Sequence, residues 1–177
     1  MSDPTDQCTS CLASASERNP LAPPAGRDGL VLCRDCAGDQ FLFGYIAAQL
    51  WASTDDWHGD QFDAGNMADK ITGETRQAAY EDCATFLASP VADDGPTPFA
   101  LLGAVVAATA DDPNRWARYS WSDAGHDFSL TRNGHGTGYW DRPGLPDATI
   151  TQLTEAAGAY GECLWLFSVD DDTITQL

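Results

Sequence analysis

Between Phe41 and Ala52 apolar side chains crowd every turn (Phe41, Leu42, Tyr45, Ile46, Ala48, Leu50, Trp51), which predicts a helix buried on more than one face. Ser53 to Asp56 ends it, and a polar connection containing Gly59 and Gly65 follows. Ala79, Cys83 and Phe86 then recur at helical spacing and predict a second helix over 73–88. Thr72 stands where an N-cap belongs, Glu74 suits the first turn, and Ser89-Pro90 is a stop. Thr97 followed by Pro98 opens a third helix, whose Ala-rich body runs to Ala110 before Asp111-Asp112-Pro113 closes it.

The period changes further on. His126 to Arg132 alternates with Phe128 and Leu130 on one side, the pattern of a half-buried strand. Asn133-Gly134 reads as a hairpin turn, and Tyr139-Trp140 starts the return strand. A last helix is expected from about Thr151 through Ala159, then a strand over Cys163–Val169, a turn at Asp170–Asp172 and a closing strand over Thr173–Leu177. This order predicts an α+β fold, with helices packed on one side of a small antiparallel sheet.

Cysteine spacing adds an N-terminal zinc module. Cys8-Thr-Ser-Cys11 and Cys33-Arg-Asp-Cys36 are two C-x-x-C knuckles, separated by residues 12–32. Each knuckle points two thiolates into one tetrahedral shell, and together they complete a four-thiolate coordination of zinc. The intervening segment, with Pro20, Pro23, Pro24, Gly26 and Gly29, suits a hairpin insert, and Gly29–Cys33 reads as a short strand entering the second knuckle. Ligands at a strand end and a helix N-terminus suggest a treble-clef or ribbon-like module over residues 1–38, ahead of an α+β domain over 39–177. Two disulfides are the alternative, disfavoured in a chain whose first residues lack a secretory pattern. A redox C-x-x-C is another, but no βαβ pattern follows either pair. A closed four-thiolate shell leaves no position for water, so the zinc is expected to be structural. Cys83 and Cys163 stand alone among apolar neighbours and read as small core residues.

Charge narrows the classes of partner. The 177 residues carry 27 acidic and 9 basic side chains, a net charge of −18, and Lys70 is the only lysine. Such a charge opposes binding to nucleic acid, which depends on neutralising phosphates, and to anionic membranes. It suits a basic protein partner, or serves solubility alone. No apolar run reaches the roughly 18 residues that span a bilayer.

Residues 115–142 break the acidic trend, with Arg115, Arg118, Arg132 and Arg142 set against Asp123, Asp127 and Asp141. They also hold His126, His135, Trp116, Trp121 and Trp140, and three glycines in Asn133-Gly-His-Gly-Thr-Gly138. A ligand or partner patch is therefore expected at Arg132, Asn133, His135, Trp140, Asp141 and Arg142. Its arginines would take an anion, Trp140 would stack, and His126–Asp127 or His135–Asp141 would act as an acid/base pair. The plainer reading of the same residues is a hairpin with aromatics inside and Arg–Asp pairs outside. No P-loop, nucleophile elbow, Rossmann fingerprint or zinc-protease helix is present, and no catalytic residue is assigned.

Several segments, in order, resemble a family of small uncharacterised proteins of tailed bacteriophages, particularly those infecting actinobacteria. They are Phe41-Leu-Phe-Gly-Tyr-Ile46, Leu50-Trp-Ala-Ser-Thr-Asp55, Tyr80-Glu-Asp-Cys83, Gly125-His-Asp-Phe128, Leu130-Thr-Arg-Asn-Gly-His-Gly136, Gly138-Tyr-Trp-Asp-Arg142, Leu153-Thr-Glu-Ala156 and Tyr160-Gly-Glu162. The resemblance excludes the zinc module, and residues 90–120 depart from it as an enlarged Ala-rich insert. It carries no activity or site residues. It implies a phage accessory protein acting in the host bacterial cytoplasm. The combined expectation is a non-enzymatic, zinc-stabilised protein that binds a host or phage macromolecule, in a pointed version a DNA-binding or defence protein inhibited through the acidic surface. The rival is a small enzyme or nucleotide-binding protein using 126–142.

Overall fold

A computed structural model describes residues 34–52, 67–168 and 171–176. Cys8, Cys11 and Cys33, the strand expected over 29–33 and most of the polar connection after the first helix lie outside the described residues. The described fold is mostly helical: α1 Arg34–Ala52, α2 Gly73–Ala88, α3 Pro98–Thr109, α4 Trp121–Arg132 and α5 Asp147–Gly158. Strands β1 Trp165–Ser168 and β2 Thr173–Gln176 follow, and short 3-10 turns lie at Ala68–Lys70, Arg115–Ala117 and Tyr139–Asp141. Helices with a small antiparallel sheet make this an α+β arrangement.

Local chemistry sets the helix starts. The Thr72 hydroxyl accepts the Thr75 amide at 3.3 Å, and Thr97 accepts Ala100 at 3.2 Å with Pro98 pre-set just inside. α4 opens on a capping box: Ser120 Oγ accepts the Asp123 amide at 3.1 Å, and Asp123 Oδ2 accepts the Ser120 amide at 2.9 Å. α5 begins at Asp147, ahead of the expected Thr151.

α4 corrects the expected hairpin over 126–142. Residues 126–132 are helical, and Asn133-Gly134 is a helix C-cap. Gly134 takes a φ of +64°, its amide donates to Thr131 O at 3.2 Å, and the His135 amide donates to Leu130 O at 3.0 Å. That pair of bonds is a Schellman closure. Tyr139-Trp140 lies in a 3-10 turn, so the return strand is absent too. The alternation misled because α4 is buried almost all round: Ala124, Gly125 and every residue from Asp127 to Arg132 are buried. A helix with so narrow a solvent face shows little 3.6-residue period.

Among the described residues the sheet accordingly has two strands rather than four, paired Trp165↔Gln176 through Ser168↔Thr173. Ile174 is fully buried and bridges Ile71, while its carbonyl accepts the Thr72 amide at 3.0 Å. β2 is thereby tied to the start of α2. Among the described residues no helix is long and apolar enough to cross a membrane.

α1 and α4 cross at very short range. A Cβ on Gly125 would lie 1.8 Å from Phe41 O, and one on Gly44 would lie 1.9 Å from Ser122 O. Only hydrogen in place of a side chain permits that approach. Around the crossing, Phe86 stacks on Phe128 at 4.1 Å between ring centroids, with Phe41 at 5.7 Å and Tyr45 at 5.5 Å from Phe128. Burying such rings is the main stabilising term of a domain this size.

Candidate functional site

Two of the six expected residues, Arg132 and Arg142, sit in two separate ion-pair clusters along α4. At the C-terminal end Arg132 is 5% exposed and reaches inward. Its Nη1 donates to Asp82 Oδ2 at 2.7 Å and to Tyr45 Oη at 2.9 Å. Nε donates to Gly161 O at 3.0 Å and Nη2 to Tyr160 O at 3.3 Å. The Phe128 and Tyr160 rings lie 5.6 and 5.7 Å from the guanidinium carbon. Burial works against the charge, but Tyr45 and Asp82 outweigh it and hold Arg132 above the ordinary guanidinium range. Tyr45 itself is pushed up, by burial first and by Cys163 second.

The second cluster lies nearer the middle of α4. Asp127 is fully buried and receives Arg142 through two parallel bonds, Nε to Oδ2 at 2.7 Å and Nη2 to Oδ1 at 2.8 Å. The Tyr119 hydroxyl donates to the same Oδ2 at 2.8 Å, and Tyr139 Oη donates to Ala124 O at 2.9 Å. Burial raises both phenols well above their ordinary values, and the Asp127 carboxylate adds to the rise in each. The bond to Asp127 raises Arg142.

Neither acid/base pair is assembled. His126 Nδ1 sits 3.6 Å from Asp127 Oδ1, beyond a hydrogen bond, and makes no hydrogen bond among the described residues. Asp127 is already occupied by Arg142 and Tyr119, so it does not orient the imidazole. His135 is half-buried and contributes its backbone amide to the helix cap, while Asp141 accepts from Thr137 Oγ1 at 3.1 Å. No hydrogen bond joins His135 to Asp141 among the described residues. Asn133 Oδ1 accepts the Cys163 amide at 2.6 Å, pinning the start of the β1 segment to the end of α4. Of the six expected residues, Trp140 and Asp141 are exposed and the others are wholly or partly buried.

The residues that matter most here besides the arginines, Asp82, Asp127, Tyr45 and Tyr119, were not among those six. Asp82 and Asp127 sit inside Tyr80-Glu-Asp-Cys83 and Gly125-His-Asp-Phe128, two of the segments that carry the phage resemblance. An aspartate flanked by core residues was the available signal.

Cys36 lies in the first turn of α1, half-buried against the core cluster. Cys83 and Cys163 are buried, and burial pushes the Cys83 thiol up, away from nucleophilic use at neutral pH. No group of three or more metal-ligating side chains occurs among the described residues.

Elsewhere the surface is acidic, with Asp69, Glu74, Glu81, Asp93, Asp94, Asp147, Glu155 and Glu162 exposed. The described cations are largely engaged: Lys70 pairs with Asp172, Arg132 with Asp82, and Arg142 with Asp127, while Arg76 donates to the Ile71 and Ala68 carbonyls. These features define a small acidic α+β protein in which Arg132 and Arg142 are held by carboxylates of the chain itself. Comparison with protein-family models, with curated proteins and with solved structures finds no match.

Proposed function

We propose that this chain is a non-enzymatic binding protein that engages a basic protein partner through its acidic surface. One observation carries the reading: Arg132 and Arg142, the cations an anionic substrate would need, are each bonded to a carboxylate of the chain itself. If Arg142 leaves Asp127 to take a ligand, it strands a fully buried carboxylate, at a cost of about 3–5 kcal/mol. The outward-facing field of carboxylates remains available for recognition. Such a field speeds encounter with a positive surface and opposes nucleic acid.

Zinc belongs to this proposal as a stabiliser. Cys8, Cys11, Cys33 and Cys36 would hold it, and the ion would supply a fixed tetrahedral cross-link with no open position. The placing of Cys36 in the first turn of α1 fits, because free amides at a helix N-terminus favour a thiolate. The phage resemblance extends the proposal to setting: an accessory protein in the cytoplasm of an infected bacterium, occupying a host or phage protein.

The test is capture from bacterial lysate at physiological salt, using the native chain and a variant with Asp69, Glu74, Glu81, Asp147 and Glu155 converted to amides. The proposal expects a stoichiometric basic protein on the native chain and its loss from the variant. Recovery of no partner by the native chain overturns it, and undiminished capture by the variant rejects the acidic surface as the recognition element.

A further inference from the structure

α3 is unlike every other described helix: Pro98–Thr109 contains no ionisable side chain, in a chain of net charge −18. Among the described residues nothing covers its outer face either. Ala100, Ala104 and Ala108 are exposed, and with Pro96, Leu101 and Pro146 they line a shallow, mostly apolar groove of about 380 Å³. The segments that flank α3 differ in charge. Beyond Pro96 lie Asp93 and Asp94, both exposed, and Asp94 is held at a φ of 58° in the turn that closes Gly95 N onto Ala92 O. Beyond Thr109, past Asp111 and Asp112, come Arg115 and Arg118, both exposed and without a carboxylate partner among the described residues. Arg115 lies 4.3 Å above the ring of Trp116, the most exposed large apolar side chain described, at 79%.

We propose that this face pairs with a second copy of the chain, the two α3 helices lying antiparallel across a two-fold axis near Ala104. An interface of this kind must be complementary to itself. Antiparallel apposition brings the Asp93–Asp94 end of one copy to the Arg115–Arg118 end of the other, on both sides of the axis. Parallel apposition would set the aspartates against each other. Two chains this acidic repel along any charged face, so the uncharged helix is where their approach costs least. Alanines at four-residue spacing let the helix axes come close, and Trp116 and Arg115 are residue types enriched among the strong contacts of protein interfaces. The chemistry thus selects a second copy over a foreign partner, because the exposed aspartates and arginines flank the two ends of one uncharged helix.

Sedimentation equilibrium on the full chain, over a wide concentration range, provides the test. A reversible dimer is expected. Ala104→Glu, at an exposed position that tolerates the change in the monomer, should weaken dimerisation about a hundredfold by placing two carboxylates at the axis. Arg115→Asp alone should weaken it about tenfold, and Arg115→Asp with Asp94→Arg in the same chain should recover most of that loss, because each copy then presents the reversed pair. A chain that stays monomeric at every concentration overturns the proposal. So does a dimer indifferent to Ala104→Glu, and so does charge reversal without recovery, which removes the antiparallel register.

Discussion

Arg142 holds Asp127 through two parallel hydrogen bonds of 2.7 and 2.8 Å, and Asp127 has no exposed surface at all. With Tyr119 on the same carboxylate, this pair ties the segment before α4 and the turn after it to the middle of that helix. Converting Asp127→Asn removes the charge that Arg142 answers, and should cost about 3–5 kcal/mol of folding stability. Urea unfolding followed by circular dichroism measures it. The double variant Asp127→Leu with Arg142→Met should lose less than the sum of the single changes, because it leaves no stranded charge. Additive losses would mean the pair is not coupled as the geometry requires.

The α1–α4 crossing predicts a contrast between glycines. Gly44→Ala would drive a methyl group into the Ser122 carbonyl, and Gly125→Ala would do the same at Phe41. Each should cost about 3 kcal/mol or more, since backbone rather than a flexible side chain must yield. Gly38→Ala, with nothing within 4 Å of the added carbon, should instead stabilise α1 by about 0.5–1 kcal/mol. Urea midpoints of the three variants settle the order.

Alkaline pH should unfold the protein. Burial raises the Tyr119 and Tyr139 phenols and the Cys83 thiol above their ordinary values, so the folded state keeps protons that the unfolded chain releases at about pH 8.5–10. A raised folded pKa gives stability that is complete below the unfolded value and is lost as pH climbs towards the folded one. Each group therefore removes about 1.4 kcal/mol per pH unit once its unfolded form ionises. Phenolate absorbance and ellipticity recorded together should show the buried tyrosines ionising with the loss of helix. Ionisation of all tyrosines in a chain of unchanged ellipticity would contradict this.

The metal proposal has its own measurement. Elemental analysis of purified protein should return one zinc per chain, and Cys11→Ser or Cys36→Ser should abolish it, because a shell reduced from four thiolates to three binds far more weakly. A zinc-free preparation with four reactive thiols among Cys8, Cys11, Cys33 and Cys36 would be the contrary result.

How much of this was legible in the sequence depended on where each helix meets water. α2 and α3 could be read because Thr72, Thr97 and Pro98 mark their starts, and such caps act locally whatever the tertiary context. α4 could not be read by period, since its surroundings bury it on nearly all sides and seven residues of a buried helix can pass for a strand. Two end markers were nonetheless present, the Ser120–Asp123 capping box and Asn133-Gly134, which serves a helix end as readily as a hairpin. Arg132 and Arg142 stand out in the sequence as cations in an acidic chain. Their roles were hidden because the partner of Arg132 is Asp82, fifty positions away, and spacing along the chain says nothing about such a pair.

In the proposed function, the exposed carboxylates of the folded chain do the recognising. This is tested most directly by titrating the captured partner against the native chain and following dissociation as sodium chloride is raised. Affinity should fall steadily with salt, at least about tenfold between low and physiological ionic strength, mainly through a slower association rate. An affinity that is flat across the salt range, or one that strengthens, would contradict it.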